Sequence, residues 1–145
     1  MSTLERAIEI AAHAHAGQVD KAWAPYILHP LRVMLAMSTL DEKIVAVLHD
    51  VIEDTPVTLA DLRAEGFPEP LLVALEALTK RAGESRLKAA ERAAANPIAC
   101  RVKLADVTDN MNLGRIAHPT AADYRRLEQY RKVKALLEGQ PSTID

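Results

Sequence analysis

An all-α, single-domain fold is predicted by three features of the chain. Hydrophobic residues make up 49% of it but aromatics only 3%, where a sheet protein would favour aromatic and β-branched side chains. Glycine is scarce, and Gly17, Gly66, Gly83 and Gly139 each stand where a helical pattern stops or breaks. Ser, Thr, Asp or Asn residues stand at the start of most of the apolar stretches, the signature of helix N-caps. A length of 145 residues suits one domain with a sizeable core. That domain is expected over residues 1–139, with 140–145 as a flexible C-terminal tail.

A first helix is expected from a Ser2 or Thr3 cap through Ala16, with Leu4, Ile8, Ala11 and His15 near one stripe. The next segment, to His29, is irregular and carries Lys21, Trp23, Pro25 and Tyr26. Proline disfavours helical backbone in the residue before it and suits a first helical turn. His29 is therefore expected at the mouth of a helix running from Pro30 to Met37. Asp41 is expected to cap the next helix, with Glu42 in its first turn.

That helix holds the stretch with the most chemistry, Val45 to Thr55. Val45, Leu48 and Ile52 pack it into a core, while His49, Asp50, Glu53 and Asp54 crowd its last turns. Helical spacing sets His49 over Glu53 and Asp50 over Asp54. Anions at a helix C-terminus oppose the macrodipole, so a cation is expected beside them.

Thr58 and Asp61 resemble a capping box for a short helix ending at Gly66. Pro68 and Pro70 mark the start of an apolar helix through Leu78, and Gly83 precedes a charged, Ala-rich helix from Glu84 to Ala95 with a solvated face. Asn96 and Pro97 read as cap and first residue of a helix on which Asp106 and Asn110, four apart, face one cleft. A buried carboxylate there needs a partner. The last helix is expected from the Thr120 cap to Leu137, with Arg125, Arg126, Arg131, Lys132 and Lys134 mostly on an exposed face.

A net charge of −2 offers no electrostatic footprint for a nucleic-acid polymer, though a local basic patch can hold a small anion. Cys100 has no partner for an intramolecular disulfide and reads as a buried small hydrophobe. No signal-peptide pattern or membrane-length apolar run is visible, so a soluble cytoplasmic protein with no membrane association is expected. Ala- and Leu-rich helices also permit a homodimer.

His29, His49, Asp50 and Asp106 suggest a single metal site. Two imidazoles and two carboxylates match Mn²⁺, Fe²⁺ or Zn²⁺ better than Ca²⁺. Neighbours on an ideal helix point about 100° apart, so His49 and Asp50 share an ion only if other helices complete the shell.

In this order, these residues resemble the HD-domain metal-dependent phosphohydrolases. His15-Ala16-Gly17-Gln18, Pro25 to Pro30, Leu48 to Thr55 and Val102 to Asp106 are similar to the hydrolase domain of RelA/SpoT proteins, over most of Ala11 to Leu113. In length the chain resembles the stand-alone small alarmone hydrolases. The resemblance implies an all-helical HD fold, one Mn²⁺ held by His29, His49, Asp50 and Asp106, and removal of the 3′-pyrophosphate of guanosine alarmones, (p)ppGpp. No synthetase segment is visible in the sequence, so synthesis of the alarmone is not expected. Glu53 and Asp54 match the pair that helps activate water, Lys21 a basic residue near the phosphates, and Asn110 a polar residue of the nucleotide site. Tyr26 reads as packing the loop.

Asp20, where the family usually has an arginine that stacks on guanine, departs from the pattern. So do Asp109, in place of an aromatic residue or histidine, and Leu113, in place of a polar residue. Leu78 to Ala95 follows the family poorly, and Trp23 offers another stacking surface or a loop anchor. The alternatives kept beside alarmone hydrolysis are an HD phosphohydrolase for another phosphorylated metabolite, such as a nucleoside monophosphate or NADPH, and a non-catalytic metal or nucleotide sensor.

Overall fold

A computed structural model describes residues 3–139. The expected C-terminal tail and the alternative Ser2 cap lie outside the described residues. All the regular structure described is helical: α1 (Leu4–Ala14), α2 (Leu28–Leu35), α3 (Leu40–Leu48), α4 (Val51–Asp54), α5 (Leu59–Ala64), α6 (Glu69–Leu78), α7 (Arg86–Ala94), α8 (Pro97–Asn110) and α9 (Ala121–Glu138), with a 3-10 turn at Leu113–Arg115. Extended pairing among the described residues is limited to one bridge between Val19 and Pro25. No described helix is long and apolar enough to cross a membrane.

The core forms around α3, where Ile44 through Leu48 are all buried. An element apolar on every side needs cover on every side, and α1, α2, α6 and α8 supply it. A second, smaller core forms where α9 lies on α7 and α8, around Ala90, Val107, Val133 and Leu137. Cys100 packs at its edge, half-buried rather than fully enclosed.

The capping boxes at Thr58/Asp61 and Thr120/Asp123 form with both hydrogen bonds present, and the Asn96 side chain accepts from the Ala99 amide as its cap. Four expectations shift. The cap of α3 is Thr39 rather than Asp41, because Thr39 and Glu42 exchange both bonds of a capping box. Helix α2 begins at Leu28, so His29 lies inside its first turn; Pro30 is tolerated there because the first amides of a helix have no intrahelical partner. Helix α7 starts after a Ser85 cap, leaving Glu84 outside, where it accepts from Arg92 Nε at 2.7 Å. Helix α1 ends at Ala14, and Gly17 completes its exit turn at φ +86°.

Candidate metal centre

The apolar run of α3 stops at Leu48, and His49 and Asp50 form a turn before the chain re-enters α4. The expected continuous helix is thus broken at the two residues whose chemistry stands out. Asp50 still accepts from the Asp54 amide, so α4 hangs one turn below the site. His29 arrives from α2 and Asp106 from α8, both packed against α3.

One ligand atom from each of His29, His49, Asp50 and Asp106 lies within 4.8 Å of the other three. His49 Nε2 is 3.0 Å from Asp50 Oδ2 and 3.4 Å from Asp106 Oδ1; His29 Nε2 is 2.9 Å from Asp106 Oδ1 and 3.7 Å from Asp50 Oδ2. His29, His49 and Asp106 are each about 5% exposed or less. The donor set fits a divalent ion, and the hydrogen bonding carries the same mark. His49 Nδ1–H donates to the Ala46 carbonyl at 2.5 Å, whereas its buried Nε2 has no hydrogen-bond partner among the described residues. A buried polar atom left in this way is costly unless something satisfies it.

The electrostatics follow from burial and proximity. Burial opposes charge on both rings, yet hydrogen bonds to Asp106 and Asp109 raise the pKa of His29, and the charges of Asp50 and Asp106 raise that of His49 well above its usual value. Asp106 is held well below the usual carboxylate range; burial opposes this, but the charge of Lys103 and the two imidazoles prevail. Lys103 Nζ lies 3.0 Å from Asp106 Oδ2, and its charge also acts on Asp50 and Glu53, which with Asp54 begin α4 rather than end a continuous helix.

Glu53 and Asp54 are exposed on the wall of a cavity of about 320 Å³ shared with Asp50, Asp106 and Lys103. Partial burial, followed by repulsion from neighbouring carboxylates, raises the pKa of both. Tyr26, Asn110 and Tyr130 separate this cavity from a second one of about 400 Å³, lined by Asp20, Lys21, Arg32, Leu113, Arg115 and Arg126 among others. Of the cations there, Arg32 and Arg115 pair with Asp109 and Arg126 with Asp123, while exposed Lys21 has no carboxylate partner among the described residues.

No family model matches the chain. It is similar to a probable GTP pyrophosphokinase of Mycobacterium leprae, 32% identical over 95% of this chain and 18% of the relative. It is also similar to a guanosine-3′,5′-bis(diphosphate) 3′-pyrophosphohydrolase of Aquifex aeolicus, 33% identical over 74% of this chain and 17% of the relative. The chain therefore spans less than a fifth of the length of these relatives. A solved structure of a metazoan ortholog of SpoT that hydrolyzes ppGpp superposes with a TM-score of 0.77 at 21% identity, covering 98% of this chain and 89% of that one. The chain is RelA/SpoT hydrolase-like. Its helical arrangement is that of the HD fold.

In this RelA/SpoT hydrolase-like chain the expected residues meet as two groups. The four candidate ligands converge, and Asn110 Nδ2 donates to Asp106 Oδ1 at 3.1 Å. Lys21 lines the larger cavity, whose wall also includes His29 and Asn110. Tyr26 does more than pack its loop, because its hydroxyl donates to Asp50 Oδ2 at 2.5 Å. His15 is buried; its Nδ1–H donates to Gln18 Oε1 at 2.9 Å, and Gln18 Nε2 donates to the Asp54 carbonyl at 3.2 Å, tying the end of α1 to α4. Lys103 and Arg32 were not singled out from sequence. The signal was helical spacing: Lys103 precedes Asp106 by three residues, and Arg32 follows His29 by three.

Trp23 anchors nothing: it is 82% exposed and adopts φ +64°, the left-handed region. Asp20 has a backbone task, its Oδ1 accepting from the Ala22 and Ala24 amides at 2.8 and 3.0 Å.

Proposed function

We propose that the chain is a divalent-metal-dependent pyrophosphohydrolase, with Mn²⁺ as the ion, that removes the 3′-pyrophosphate of a guanosine alarmone or a closely related nucleotide. The observation that carries this reading is the convergence of two imidazoles and two carboxylates around the unpartnered Nε2 of His49, beside the raised-pKa pair Glu53 and Asp54. The relatives named as 3′-pyrophosphohydrolases supply the substrate class.

In this reading His29, His49, Asp50 and Asp106 hold the ion. When bound, it polarises phosphoryl oxygen and lowers the pKa of nearby water. Glu53, with Asp54 beside it, takes a proton from the attacking water; carboxylates with raised pKa values are the better bases. The water oxygen forms a bond to the phosphorus next to the ribose, the bond from phosphorus to O3′ breaks, pyrophosphate leaves, and O3′ takes up a proton. Tyr26 and Lys103 keep Asp50 and Asp106 oriented through their second contacts. Lys21 meets phosphate, and Asn110 borders the nucleoside.

A related nucleotide stays in the proposal because Asp20 and Leu113 both line the larger cavity, which lacks the stacking arginine of the family there. The test is a product assay on Mn²⁺-loaded protein with guanosine and adenosine 3′-pyrophosphates, their 5′-only counterparts and NADPH. Metal-dependent pyrophosphate release from the guanosine 3′-pyrophosphates is the expected result. Orthophosphate release from another member would reassign the substrate, and ion binding with no turnover of any would favour a sensor.

A further inference from the structure

Asp109 stands where the family usually has an aromatic residue or histidine, and its surroundings give the change a purpose. Its Oδ2 accepts from His29 Nδ1–H at 2.6 Å. Arg32 grips the same carboxylate from the other side, Nε to Oδ1 at 2.8 Å and Nη2 to Oδ2 at 3.0 Å, and Arg115 Nη2 donates to the Asp109 backbone carbonyl at 2.8 Å. Two residues from each helix interlock. Helix α8 supplies Asp106 and, three residues on, Asp109; helix α2 supplies His29 and, three residues on, Arg32. Asp109 is 13% exposed as a side chain, so this exchange is sheltered from water.

We propose that Asp109 is a positioning residue for the metal centre, fixing His29 through Nδ1 so that Nε2 faces Asp50 and Asp106, and thereby setting the site's affinity for a divalent ion. The proposal rests on the metal-centre reading above. A carboxylate only accepts hydrogen bonds, so Asp109 keeps a proton on Nδ1 of His29; Nε2 faces Asp106 Oδ1 at 2.9 Å, and an ion bound between them would take the Nε2 lone pair in place of that hydrogen bond. Carboxylates behind ligating imidazoles also raise ligand basicity. The two histidines are thus backed unequally: His49 by the neutral Ala46 carbonyl, His29 by a full charge. Arg32 and Arg115 keep that charge in its place behind the ring, so Asp109 does not swing round to compete for the ion.

The test is Mn²⁺ affinity by chelator competition, with the visible spectrum of the Co²⁺-loaded protein as a second readout, in Asp109→Asn and Asp109→Ala. Asp106→Ala serves as reference. Both Asp109 variants are expected to lose about 10- to 100-fold in affinity and to alter the Co²⁺ spectrum while keeping their helical circular dichroism. Asp109→Asn preserves shape and one acceptor, so it decides the matter if the alanine variant does not fold. Wild-type affinity and spectrum in Asp109→Asn, with Asp106→Ala losing the ion, would overturn the positioning role alone. Wild-type affinity in Asp106→Ala would overturn the metal centre, and this proposal with it.

Discussion

His49 and Asp50 are adjacent in the chain, yet His49 Nε2 lies 3.0 Å from Asp50 Oδ2. On an uninterrupted helix the two side chains would diverge by about 100°. In the turn between α3 and α4 both residues keep right-handed backbone angles and the side chains themselves close the gap, while the Asp54 amide keeps its bond to the Asp50 carbonyl. Neighbouring residues thus face one centre at the end of α3, with Glu53 and Asp54 just beyond it in α4. Apolar α3, buried along its whole second half, fixes the turn in space.

If Glu53 takes the proton from water, Glu53→Gln should keep the ion and lose most turnover. General-base catalysis is worth about 10²- to 10⁴-fold, so a fall in kcat of that order is expected with Mn²⁺ affinity unchanged. Single-turnover kinetics alongside ion titration separates the two. A wild-type kcat would move the role to Asp54 or elsewhere.

The helices were legible because helical spacing and cap chemistry are local. Thr58, Asn96 and Thr120 act within a few residues of themselves, and sequence reports such effects directly. His29, His49, Asp50 and Asp106 were legible as a set only through their residue types and the family pattern, since His29 and Asp106 lie 77 residues apart. The break at His49 was not legible, since both residues keep right-handed backbone angles and only packing decides where they point. Nor was the partnership of Asp109 with His29, which joins positions 80 residues apart. Asp109 registered only as a departure from the family pattern. The cap of α3 was misread because Asp41 and Thr39 are both good cap residues, and the reciprocal bond to Glu42 decides for Thr39.

Trp23 occupies the left-handed region at φ +64°, which costs a non-glycine residue about 1–2 kcal/mol. With the indole 82% exposed, little burial offsets that cost. Trp23→Gly should therefore raise stability by up to about 1 kcal/mol, less what glycine's extra unfolded-state freedom removes. Urea unfolding of the two proteins measures this directly. A clear loss of stability would mean the indole packs in solution.

Glu84 and Arg92 give the α6–α7 connection a pH dependence. The hydrogen bond from Arg92 is the main cause of a Glu84 pKa lowered to about 2. A carboxylate whose pKa falls on folding stabilises the protein above its unfolded pKa, near 4.5, and loses that contribution as pH drops towards 2. Arg92 also donates to the Thr79 carbonyl at 2.8 Å, so the loop is fastened at both ends. Hydrogen exchange at residues 79–85 should accelerate more steeply than elsewhere between about pH 4.5 and 3, relative to intrinsic rates. In Glu84→Gln the exchange should already be fast at neutral pH and lose that acid dependence.

Asp20 sets a negative charge in the cavity that Lys21 lines, where an anionic nucleotide has to enter. Replacing it with alanine would confuse two effects, because its Oδ1 also accepts from the Ala22 and Ala24 amides and shapes the loop. Asp20→Asn separates them: the side-chain carbonyl keeps both bonds and the charge is gone. A unit charge a few ångströms from a ligand charge in a water-like medium is worth roughly 1 kcal/mol. KM for a nucleotide carrying a 3′-pyrophosphate should then fall about fivefold at low salt, with kcat little changed, and the gain should shrink as ionic strength rises. A KM that stays put at every salt concentration would mean that Asp20 faces its own loop and that substrate charge is read elsewhere in the cavity.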